Sequence, residues 1–314
     1  NLPNNDGTPS VEINGVSYNS IESAIEDIED GVATVIELSK NIVVESPIVI
    51  PAGKVVTIDL KGYSLAVADA EVSRATNVTT YAINNHGTLT LKNGEVYARG
   101  IYNGYNPEGE PVATAKLTIE NGTYNALGTN GGACVFNYGE VVINNGTFTS
   151  IGGYSLNTQA GSKMTINNAT VTGGIYSEGE LTINNGKIKT NRGGYTHAIY
   201  HAGETLTIYA GEFEGNGNEV INANSSKALI YGGTFNLFNV TMRKLGIEFT
   251  FVTPDCTEEE LNAAFKPNTK AVFGETIANP ALTVLDIEKF AQAAHSHGVP
   301  LIVDNTFATP VNCR

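Results

Sequence analysis

Between residues 89 and 235 the chain repeats one short pattern of apolar and polar positions. An apolar-polar-apolar triplet is followed by Asn-Gly or a close variant, then by a polar and an apolar residue. Leu89-Thr90-Leu91-Lys92-Asn93-Gly94-Glu95-Val96 and Leu117-Thr118-Ile119-Glu120-Asn121-Gly122-Thr123-Tyr124 are two copies, and others start at 141, 164, 181, 206 and 228. Val56 to Gly62 is a degenerate earlier one. Period two puts the outer side chains of each triplet on one face of a strand. The Asn-Gly step suits positive φ, which Gly and Asn adopt at little cost. One strand, one sharp turn and a second strand in about 22–25 residues is the length of one stacked coil. Stacking would bring Asn121 near Asn145, Asn168 and Asn185. The pattern predicts an all-β right-handed parallel β-helix (a solenoid).

Either end of this repeat reads differently. Residues 20–30 place Ile21, Ala24, Ile25 and Ile28 on one helical face, with Gly31 as a stop, and predict a cap helix. Thr34–Leu38 and Ile48–Ile50 read as strands. From Gly246 onward, strand-like Glu248–Val252, a helix opened by Thr257-Glu258-Glu259-Glu260, a strand at Lys270–Gly274, a helix at Leu285–His297 and a strand at Pro300–Asp304 follow one another. This β-α-β-α-β order predicts a small α/β segment with a parallel sheet. The expected domains are therefore 1–235, the β-helix with its cap helix, and 236–314, an α/β segment capping the solenoid.

Composition sharpens this picture. Eighteen Lys and Arg stand against 32 Asp and Glu, a net charge of −14, which argues against nucleic-acid and anionic-membrane partners. No apolar run is long enough to span a bilayer, and the polar N-terminus carries no signal-peptide core. Cys134, Cys256 and Cys313 are too far apart to predict a disulfide framework or a metal site. After Asp69 the next aspartate is Asp255.

The helix, the two strands and the run from Pro51 to Leu65 together resemble the start of pectate-lyase-like β-helix proteins. That resemblance implies an extracellular or surface-bound protein of bacterial or phage type, an adhesin or tail-spike-like module. Enzymes of that group use clustered aspartates, which are lacking here, so a glycan or host-surface ligand is expected in place of polysaccharide cleavage. Tyr102 and Tyr105, in an inserted loop from Ile101 to Pro111, are the candidates for stacking on sugar rings. Glu140, Glu180 and Glu204 read as a solvated turn ladder. His197 and His201, about 13 Å apart on a strand, are too far apart for one metal and read as surface or coil-stacking residues. Arg99 and Arg192 have no evident partner, and no metal site or catalytic residue is predicted.

A second resemblance lies in the last eighty residues. Tyr231-Gly232-Gly233-Thr234-Phe235-Asn236-Leu237-Phe238, Gly274-Glu275-Thr276-Ile277-Ala278-Asn279-Pro280 and Val303-Asp304-Asn305-Thr306-Phe307-Ala308-Thr309-Pro310 resemble O-acetylhomoserine sulfhydrylases, which use pyridoxal phosphate (PLP). The resemblance implies that Tyr231 stacks on the PLP ring and that Asn279 lies beside its phenolic oxygen. Asp304 would pair with the ring nitrogen, and Thr306 would support the ring. The family's Ser-x-Thr-Lys lysine would fall beyond Arg314, and repeats stand where its phosphate loop should precede Tyr231. An inactive fragment binding no cofactor is therefore expected, joined to the β-helix at Ile230–Asn236, a stretch that fits both patterns. Two alternatives remain: a β-helix lyase or hydrolase, and a piece of a transsulfuration enzyme.

Overall fold

The computed structural model describes residues 8–72, 78–190, 197–216, 220–223, 227–230, 237–278 and 283–309. They fall into two units, Asn1–Leu229 and Ile230–Arg314.

In the first unit the strands lie in three sheets of eleven, eight and eight. Successive strands enter the three sheets in turn, so every third strand returns to the same sheet beside its predecessor. In the first sheet Ala33–Leu38, Val55–Asp59, Thr88–Lys92, Lys116–Ile119, Glu140–Ile143, Lys163–Ile166, Glu180–Ile183 and Thr205–Ile208 lie side by side in that order. Pairing is parallel and holds the repeat in register, with Leu117 against Leu89 and Val141, and Leu181 against Met164 and Leu206. All six of these side chains are at most 1% exposed. Burying each contributes roughly 1.5–3 kcal/mol, which is why the triplet is the best preserved part of the repeat.

The turns are held from one circuit to the next by asparagine. Asn167 Nδ2 donates to Asn144 Oδ1 at 2.7 Å and Asn184 Nδ2 to Asn167 Oδ1 at 2.6 Å. The neighbouring row is looser, Asn168 to Asn145 at 3.4 Å and Asn185 to Asn168 at 3.5 Å. Asn121 pairs instead with Asn93, whose backbone N–H reaches its Oδ1 at 2.6 Å.

Inside the third sheet runs a second polar row that no sequence motif marks. Asn85, Asn103, Asn137, Thr158, Ser177 and His201 occupy matching positions in Ile83–Asn85, Ile101–Asn103, Val135–Asn137, Leu156–Thr158, Ile175–Ser177 and Ile199–His201, and all are 0% exposed. Asn85 donates to Asn103 at 2.7 Å, Asn103 to Asn137 at 2.8 Å and Asn137 to Thr158 Oγ1 at 2.9 Å. Buried amides are tolerated because each hands a hydrogen bond to the next.

The expected class, an all-β right-handed parallel β-helix with a small α/β tail, is corrected to a mixed α/β class resting on large parallel sheets. Helices α1 (Ile21–Glu26) and α2 (Ala68–Val72) belong to the first unit, α3 (Glu258–Ala263) and α4 (Ile287–Ser296) to the second. Period-two triplets and Asn-Gly turns report strands and turns locally and are blind to helices such as α2. Helix α1 is also shorter than the 20–30 expected. A Ser20–Ser23 capping box opens it, and Asp27 closes it.

The second unit has one sheet among its described residues, Val272–Glu275 paired in parallel with Leu301–Asp304. One face, through Val272 and Leu301, packs on a core of Cys256, Leu261, Leu285, Phe290 and Ala293 carried largely by α3 and α4. A Thr257–Glu260 capping box starts α3, and the Asp286 side chain accepts the Lys289 N–H to start α4. Glu248–Val252, expected as a strand, is not one. Its aromatics stack instead, Phe249 on Phe238 at 4.8 Å between ring centroids.

Candidate functional site

The parallel pair in the second unit carries Asp304 at its carboxyl end, the end where open α/β sheets present ligand-binding groups. Alternation along the strand places Asp304 on the same face as Ile302, and in register with Glu275, opposite the face that packs on α4. The backbone at Asp304 is fixed by buried Thr276, whose N–H donates to the Asp304 carbonyl at 3.0 Å and whose hydroxyl approaches it at 3.4 Å. Gly274 lets Leu285 pack closely beneath, since a Cβ there would stand 2.6 Å from Leu285 Cδ2 and the leucine would have to shift.

The carboxylate itself is held by Thr306. The Thr306 N–H donates to Asp304 Oδ1 at 2.9 Å, and hydrogen bonds from the Thr306 hydroxyl and N–H keep the carboxyl below its ordinary range. Thr306 is thus a hydrogen-bond partner of the carboxylate. The arrangement is a half-buried carboxylate acceptor on the sheet face that Phe273 and Ile302 share, where the Phe238 ring meets Phe273 edge-on, and it is suited to a cationic N–H.

Tyr231 and Asn279, named with these two, lie outside the described residues. Sequence reasoning missed Thr276 and Glu275. Both stand in the quoted Gly274–Pro280 motif, and the pairing of that strand with Asp304 was the signal that could have found them.

The tyrosine pair of the first unit belongs to an aromatic stack. Residues Ile101–Asn103 form a strand of the third sheet rather than the start of a loop. Tyr102 is sandwiched, with the Tyr81 ring 3.9 Å away on one side and Tyr105 4.3 Å away on the other. Both ring faces are thus occupied, and burial pushes the Tyr102 phenol up. Arg99 completes the cluster, its Nε donating to the Tyr81 hydroxyl at 3.0 Å. The cluster is a half-buried aromatic ladder running across neighbouring circuits.

The remaining candidates are structural. Glu140 and Glu180 pair with Lys116 and Lys163 of preceding circuits at 3.3 and 2.9 Å, exposed bridges of the kind worth about 0–1 kcal/mol. Of the two placements expected, surface or coil-stacking, His201 takes the second, fully buried in register with Ser177, while His197 packs beside Tyr200 at 5.9 Å. Arg192 and Cys313 lie outside the described residues. Burial pushes the Cys134 thiol up to about 12, so it is inert. No group of three or more metal-binding side chains occurs among the described residues.

Comparison with known proteins bears on the second resemblance. The chain is 41% identical over 129 residues to the O-acetyl-L-homoserine sulfhydrylase of Corynebacterium glutamicum, covering 41% of this chain and 29% of that protein. It is 51% identical over 82 residues to the homocysteine synthase of Schizosaccharomyces pombe, 26% of this chain and 19% of that protein. Against the homocysteine/cysteine synthase of Saccharomyces cerevisiae it is 48% identical over 82 residues, 26% of this chain and 18% of that protein. The chain thus spans less than a third of the length of these relatives.

These relatives are metabolic enzymes, which corrects the adhesin, carbohydrate-binding and extracellular or cell-surface readings drawn from the pectate-lyase-like resemblance. Residues 186–314, starting well ahead of the expected junction at 230–236, match the family model of the Cys/Met metabolism PLP-dependent enzymes, and this part of the chain is similar to that family.

Proposed function

We propose that the second unit supplies the ring-nitrogen side of a PLP site in a transsulfuration enzyme of the O-acetylhomoserine sulfhydrylase type. The observation that carries the reading is Asp304, an ionised carboxylate fixed by Thr276 and Thr306 at the carboxyl end of a parallel strand. Its chemistry fits the cofactor, because a carboxylate kept low is the acceptor that holds a proton on a pyridine nitrogen. A ring bound there would supply an electron sink for reactions of sulfur amino acids.

The chain's own residues would act around that proton. Asp304 binds it and Thr306 orients the carboxylate. Thr276 fixes the strand end so that the acceptor does not swing. Tyr231 for ring stacking and Asn279 beside the phenolic oxygen complete the set by resemblance. An O-acylated homoserine is the substrate class the sulfhydrylase relatives' names suggest.

Pyridoxamine 5′-phosphate tests the reading without needing a lysine, since it has an amine where PLP has an aldehyde. Titrated with the full chain and followed by fluorescence anisotropy, it should bind saturably. Asp304→Asn should weaken binding tenfold or more, a charge-assisted hydrogen bond being worth about 1.5–3 kcal/mol. Equal affinity in the variant, or no binding by the unaltered chain, would remove the proposal.

A further inference from the structure

The interior polar row of the third sheet ends on a group that does not belong in it. From Asn85 to Ser177 every member of the row is hydrogen-bonded, Ser177 to the Gly179 carbonyl at 3.2 Å. His201 follows, 0% exposed, and neither ring nitrogen has a partner. The next position in register, Ala223, offers no polar atom.

We propose that His201 is an acid-sensitive weak point, where protonation of the buried imidazole opens the circuit around Ile199–His201 while the preceding circuits stay closed.

An uncharged imidazole can sit in this row at the cost of two unmade hydrogen bonds. An imidazolium cannot, because a buried charge without an acceptor is far more expensive. No carboxylate of the described residues is hydrogen-bonded to it. In the preceding circuit Glu178 is engaged by the Tyr176 hydroxyl at 2.5 Å, and Glu180 is ion-paired with Lys163. Glu204 lies in the turn after His201, and His197 sits beside Tyr200, which faces outward. Burial alone lowers the His201 pKa from 6.5.

The direction follows from linkage. The opened state takes up a proton below about pH 6.5 and the closed state only at lower pH. Stability of this circuit is therefore complete above pH 6.5 and is lost as pH falls through that value. One proton changes the opening constant by at most about tenfold per pH unit.

Hydrogen exchange of the full chain, read by mass spectrometry and corrected for intrinsic rates, measures this between pH 7.5 and 5. Peptides covering residues 197–208 should show an opening constant that rises as pH falls. Peptides covering 140–166 should not. His201→Asn, matching Asn85, Asn103 and Asn137, should flatten the response. If that variant fails to fold, His201→Ser, matching Ser177, and the imidazole proton resonance of the unaltered chain decide instead. Equal acid sensitivity with and without His201, or an imidazole titrating near 6.5 in the intact protein, would overturn the proposal.

Discussion

Gly100→Ala should lower the thermal unfolding midpoint of the full chain by about 10 °C or leave it insoluble. Gly100 lies at φ +151°, and a Cβ there would stand 1.7 Å from the carbonyl oxygen of Ala133. That oxygen is backbone of the next circuit, so nothing flexible gives way. Relief would have to come from moving Ile101–Asn103 off Val135–Asn137, and with them the Ile101 N–H that donates to the Cys134 carbonyl at 3.0 Å. Clash and broken ladder together put the cost above about 4 kcal/mol, at the far end of single substitutions. At ~2–4 °C per kcal/mol for a body of this size, the shift follows. Gly161 is the control: its φ is +77° but nothing stands within 4 Å, so alanine there should cost only about 1–2 kcal/mol. Circular dichroism melts of the two variants separate packing from backbone preference, and a Gly100→Ala midpoint within 2 °C of the unaltered chain would refute the close approach.

Asn103→Leu is the second large effect. The side chain is near the right size, so the loss is chemical rather than steric. Asn103 accepts from Asn85 at 2.7 Å and donates to Asn137 Oδ1 at 2.8 Å and to the Glu140 carbonyl at 3.0 Å. Leucine leaves these buried partners facing methyl groups, each costing about 1–3 kcal/mol. A loss of about 3–5 kcal/mol in urea unfolding is expected. Asn103→Thr should lose less, because Thr158 shows that a hydroxyl can accept in this row. Equal stability of Leu and Thr variants would show that the row contributes size alone.

These two positions mark the boundary of what could be read from the chain. The triplets around Leu89, Leu117 and Leu181 declare their strands because alternation and an Asn-Gly turn recur together. The third-sheet strands share no motif. The inward residue is Asn, Thr, Ser or His by turns, and the common feature is burial beside the previous circuit, which no local window reports. For the same reason Tyr102 read as part of a loop, and His201 could not be assigned between surface and coil-stacking positions. In the second unit the helix caps at Thr257 and Asp286 were legible or nearly so, while Glu248–Val252 has strand-like composition without a strand to pair with.

The candidate site was legible by a different route. Asp304 and Thr306 came from resemblance, and alternation alone would have made Asp304 one more polar residue ending a strand. The contact of Thr276 depends on a partner 28 residues away, and the hydrogen bond of Thr306 to the carboxylate depends on a turn geometry no spacing encodes.

The central claim is that Asp304 is an acceptor for a ring nitrogen, and a ligand lacking that nitrogen tests it most directly. Pyridoxamine 5′-phosphate and its analogue with carbon in place of the ring nitrogen should be titrated against the full chain and against Asp304→Asn. The account predicts that the unaltered chain prefers the nitrogen ring by tenfold or more and that the variant binds both alike. A preference that survives the substitution, or none in the unaltered chain, would contradict it.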